Sequence, residues 1–145
     1  MKHHLILRVA TKLLVPPIIL FALYVQFHGD FGPGGGFQAG VIIGAAFVLY
    51  SMVFGLDAAR AVAPVPVIRV LVALGFLIYM SVGFFSLSQG AVFLDYDVLA
   101  HDPHHGQHYG ILLVEFGVGM TVAATMIAIF YFFAGRRAPT DEGDQ

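Results

Sequence analysis

His28–Gly40, HGDFGPGGGFQAG, lies between two long apolar runs, and its glycines decide how the chain folds. Pro33 suits the start of a helix, where a missing N–H costs little. Gly34, Gly35 and Gly36 have almost no intrinsic drive to be helical. Three of them together imply close approach by something that side chains would block. Gly36, Gly40 and Gly44 then recur every fourth residue, laying a groove along one face of the following helix. This small-xxx-small pattern lets two helix backbones meet inside a membrane, where no hydrophobic force operates between helices. A second use of the same stretch is an ion cradle. Free N–H groups at a helix N-terminus attract anions, and His28 and Asp30 stand close in sequence. A Walker-type phosphate loop is excluded, because no Lys-Ser/Thr follows the glycines.

Working outward, the 145 residues are 59% hydrophobic and 11% charged, against about a quarter charged in a soluble domain. Four apolar runs cover about 9–27, 35–56, 67–87 and 109–133, each long enough to cross ~30 Å of hydrocarbon. The runs are continuously apolar rather than alternating, which excludes barrel strands. The expected fold is an all-α integral membrane protein with four transmembrane helices in one domain, 1–134. The tail 135–145 is polar and aperiodic and reads as disordered.

Lys2, Arg8, Lys12, Arg60, Arg69, Arg136 and Arg137 all fall on one side of this weave. The positive-inside rule then predicts cytoplasmic termini and a cytoplasmic second connection, with HGDFGP and the long third connection facing outward. Pro16 and Pro17 predict either a kink in the first span or a helix that begins at the prolines. The N-terminal run lacks a small-x-small cleavage site and reads as a retained span. A net charge of −2 argues against a nucleic-acid partner, and the absence of cysteine excludes disulfides and thiolate metal sites.

Glu115, in GILLVEFGVGM, is the one acid well inside a span. At the centre of a bilayer an acid costs about 2.5–3.5 kcal/mol, so it either pairs or lines a hydrated ion path. Its expected partner is a hydroxyl, an amide or a group on another protein. Gly110, Gly117 and Gly119 surround it and permit close approach by a neighbouring helix. The outer connection holds His101, His104, His105 and His108, four imidazoles that would bind zinc or copper given a rigid scaffold. Pro103 and Gly106 argue against a regular helix there, so the main expectation is a solvated acidic and histidine-rich loop, without a metal. No histidine lies deep enough in a span for haem, and no nucleophile–base pair suggests hydrolysis. An enzyme is not expected.

HGDFGPGGGFQAGVIIGAAFVL and GILLVEFGVGMTVA together resemble the MnhB/MrpB family, small membrane components of the multisubunit Na+/H+ antiporters of prokaryotes (the Mrp or Mnh type). Pro33, Gly34, Gly35, Gly36 and Phe37 match that family's motif, and Glu115 its fourth-helix acid. The resemblance implies a non-enzymatic subunit in a hetero-oligomeric complex of the plasma membrane, exchanging sodium for protons without a cofactor. Its partners would be the other antiporter subunits and membrane lipids. Related domains in membrane-bound hydrogenases leave a second expectation, a membrane scaffold of a hydrogenase- or complex I-like redox complex.

Overall fold

A computed structural model describes residues 2–29 and 32–136, and these form five α-helices and no strand. They are α1 (Lys2–Phe27), α2 (Gly36–Phe54), α3 (Leu56–Val62), α4 (Val65–Ser88) and α5 (Pro103–Ala134). A 3-10 turn, Tyr96–Leu99, lies in the last connection. α1, α2, α4 and α5 are long and apolar enough to cross a membrane. Asp30 and residues 137–145, including Arg137 and nearly all of the expected disordered tail, lie outside the described residues.

The long helices form a row. α1 rests on α2, α2 on α5, and α5 on α4. What lies between them is small: Ala22, Ala39, Ala46, Ala123 and Ala124 are buried, joined by a few larger groups such as Ile68, Ile127 and Tyr131. Large side chains point outward instead, Leu13 and Phe132 among them, as the lipid-facing surface of a membrane protein does. The row is therefore held by close backbone approach more than by interdigitated bulk.

α1 runs unbroken through Pro16 and Pro17, which sets aside a helix that begins at the prolines. α2 starts at Gly36, so Pro33 stands before the helix rather than at its first turn. Gly55, with φ 93°, ends α2 and opens the short α3, a turn that only glycine adopts readily. The basic side chains gather at this end of the row. Arg8 and Lys12 each stand 5.9 Å from the Phe54 ring, and Arg60 stands 5.8 Å from the Tyr131 ring.

The largest departure from expectation is at α5, which begins six residues before the expected span. Pro103 takes an N-terminal helix position, where its missing N–H is harmless. Asp102 caps the helix, its carboxylate accepting from the His104 N–H at 3.1 Å and lying 3.3 Å from His105 Nδ1. Gly106 and Gly110 are needed because Tyr96 folds back on the helix, its carbonyl against Gly106 and its ring against Gly110. Ser86 Oγ donates to the Asp95 carbonyl at 2.8 Å, and Gln107 Nε2 donates to the Asp97 carboxylate at 2.8 Å. Thus the connection between α4 and α5 is fastened to both helices. Burial raises the Tyr96 phenol pKa, with Tyr79 adding to the effect, so the group stays protonated at neutral pH. Asp102→Ala should cost about 1 kcal/mol of local stability, read as faster amide hydrogen exchange at His104 to Gly106. Unchanged exchange there would mean that the cap contributes nothing.

Candidate functional site

The site is built where the first turn, the start of α2 and the middle of α5 meet. Val25, near the end of α1, accepts hydrogen bonds from the His28 N–H at 3.3 Å and the Gly35 N–H at 3.0 Å. One carbonyl thereby holds both sides of the turn. The Gly32 N–H donates to the His28 carbonyl at 3.1 Å and tightens it further. A side chain at Gly34 would begin only 2.8 Å from the Val25 oxygen, so this fold-back requires glycine. Gly35 has φ 115°, which favours glycine for a second reason.

Into this turn α5 delivers Glu115. A β-carbon on Gly29 would collide with the Glu115 carboxylate, and one on Gly35 would stand 2.7 Å from Oε1. The half-buried carboxylate is thus enclosed by two glycines of the same chain, beside the N-terminus of α2. That terminus carries partial positive charge from N–H groups that the helix leaves unbonded. Gly29 and Gly35, which meet this acid, belong to its own polypeptide.

The groove on α2 is covered from within the chain too. A β-carbon on Gly36 would strike the Glu115 carbonyl, and on Gly40 it would lie 2.6 Å from the Gly119 oxygen and 2.9 Å from Val122 Cβ. Gly44 meets Met126 in the same way. Gly36, Gly40 and Gly44 are therefore the seat of α5. A corresponding seat lies across α5, where a β-carbon on Gly117 would come 2.7 Å from the Gly75 oxygen on α4. Thr121 Oγ1 donates to the Gly117 carbonyl at 2.9 Å beside this crossing. Glu115 is pinned between two neighbours by glycines two and four residues further along its own helix.

Level matters as much as contact. From Pro103 to Glu115 the helix advances about 18 Å, and from Gly36 to Phe54 α2 advances about 27 Å. Because Gly36 lies against the Glu115 backbone, the α1–α2 turn sits about 18 Å below the start of α5. The acid stands at the foot of this step, at the edge of the span defined by α2.

His28 is half-buried in the turn, its ring stacked on Tyr24 at 5.2 Å. Pro33 and Phe37 are exposed beside it. His101, His104, His105 and His108 are exposed at the opposite side of the step, and among the described residues no group of three His, Asp or Glu is placed to hold a metal ion. Three participants carry no pattern in the sequence. They are Gly29, Gly75 and Gln26, whose side-chain oxygen comes against Gly119. A lone glycine or glutamine announces nothing until its neighbour is known.

A family model described as a domain related to the MnhB subunit of Na+/H+ antiporter matches residues 6–128. Proteins named "Putative antiporter subunit mnhB2" from Staphylococcus aureus strains Newman, JH1 and Mu3 are each 29% identical over 140 residues, covering 94% of this chain and 99% of theirs.

Proposed function

This chain belongs to the MnhB family, and on that premise we propose that it is a small membrane subunit of a multisubunit Na+/H+ antiporter. It packs beside the ion-translocating subunits in the plasma membrane, with the arginine end in the cytoplasm, and contributes Glu115 to the ion route. Its role is transport rather than catalysis of a covalent reaction.

The observation that carries this is the placement of Glu115, an acid enclosed by Gly29 and Gly35 at the foot of the step. A carboxylate can be neutralised by a proton or by a sodium ion, but one charge is not satisfied fully by both. That competition is the simplest chemistry from which exchange follows. The glycines let the backbone of the turn close on the oxygens, where a methyl group would collide. His28, in the same turn, and Asp30, two residues along the sequence, are the further candidates on this route.

Purification from the native membrane tests the assembly. Large antiporter-like subunits should travel with the chain, and deletion of its gene should abolish sodium-dependent proton exchange in inverted vesicles. Recovery with hydrogenase catalytic subunits, or exchange that survives the deletion, would overturn the proposal.

A further inference from the structure

The opposite end of the row holds a different kind of feature. Between α3, the start of α4 and the end of α5 lies a cavity of about 220 Å³, lined by Arg60, Arg69, Val65, Ala128, Tyr131 and Phe132. Its charged part is entirely basic. Among the described residues Asp57 is the one carboxylate at this end, and it forms no ion pair with Arg60 or Arg69. Arg60 is held in position, its guanidinium over the Tyr131 ring and its Nη2 against Gly135 at the end of α5. Tyr131 is fixed in turn, its hydroxyl donating to the Ala63 carbonyl at 2.9 Å. Arg69 is exposed one turn into α4.

The rest of the lining is apolar, and the surface beyond it continues so through the exposed Val62, Val67 and Phe133. An occupant must therefore bring negative charge to the guanidiniums and hydrocarbon to the wall. A small inorganic anion meets only the first need. The cavity also lies at the ends of two membrane-length helices, where lipid headgroups are found. Guanidinium groups bind phosphate oxygens through paired, charge-assisted hydrogen bonds. Basic pockets between spans are suited to anionic headgroups. We propose that this cavity binds one anionic phospholipid, its phosphate between Arg60 and Arg69 and its acyl chains along Val65, Ala128 and Phe132.

The test uses the protein purified with its companion subunits and placed in nanodiscs of equal parts phosphatidylcholine and phosphatidylglycerol. Native mass spectrometry then counts the phosphatidylglycerol retained as detergent strips the disc. One tightly held molecule is expected per chain. Arg60→Gln with Arg69→Gln should weaken retention by about fivefold for each charge removed, or roughly 25-fold together. Arg60→Lys with Arg69→Lys should keep most of it, which separates lost charge from lost fold. Arg8→Gln with Lys12→Gln removes two charges at the same end outside the cavity and should leave retention unchanged. Equal losses in the two Gln pairs would reduce the effect to general surface charge and overturn the site. So would undiminished retention in the Arg60/Arg69 pair, or displacement of the lipid by free glycerol phosphate at comparable concentration. A photo-crosslinking residue at position 65 should label lipid, and labelling of another subunit instead would show that protein fills the cavity.

Discussion

Glu115→Gln is expected to abolish sodium-dependent proton exchange while leaving the subunit assembled. The amide is nearly isosteric, so it fits between Gly29 and Gly35 where anything larger would collide. What it lacks is the charge, and with it the capacity to alternate between proton and cation. The measurement is the sodium-evoked pH change in inverted vesicles, with recovery of companion subunits as the assembly control. Glu115→Asp shortens the reach but keeps the charge, and should retain partial exchange. Normal exchange in the Gln variant would remove Glu115 from the route and leave it a structural group beneath the turn.

Gly36→Leu should be the most damaging substitution for the fold. Overpacking in an ordinary core costs about 1–3 kcal/mol, because side chains can turn aside. Here the atoms in the way are the Glu115 carbonyl and, at 2.9 Å, the Gly119 nitrogen, which move only if a whole helix moves. A loss of about 3 kcal/mol or more is expected, seen as a lowered midpoint of thermal unfolding in detergent. Gly40→Leu should act similarly through the Gly119 oxygen and Val122. Ala45→Leu, on the exposed side of the same helix, should change stability by no more than about 0.5 kcal/mol. Equal effects at positions 36 and 45 would show that the groove is not what holds α2 to α5.

The spans were legible because lipid imposes a coarse rule, long apolar runs, that local detail does not disturb. The groove was legible as a face, since glycines every fourth residue define one whatever lies against it. Its occupant was not. Spacing on α2 contains no information about α5, and the groove is filled by Gly119, Val122 and Met126 of the same chain. Glu115 stood out by its cost in lipid, whereas Gly29 became meaningful only once the carboxylate was placed beside it. At α5, Pro103 and Gly106 were read as breakers. Asp102-Pro103 is equally a start signal, and Gly106 answers the Tyr96 carbonyl, a contact that local propensity does not encode. The short α3 was missed because seven residues are too few for a periodic pattern.

A row one helix thick resembles a plank rather than a barrel. It has two broad sides and two edges but no interior in which a conduit could be bored. On the proposed reading, any channel that uses Glu115 is walled on its far side by a neighbouring polypeptide, so permeation is a property of the seam and not of either half.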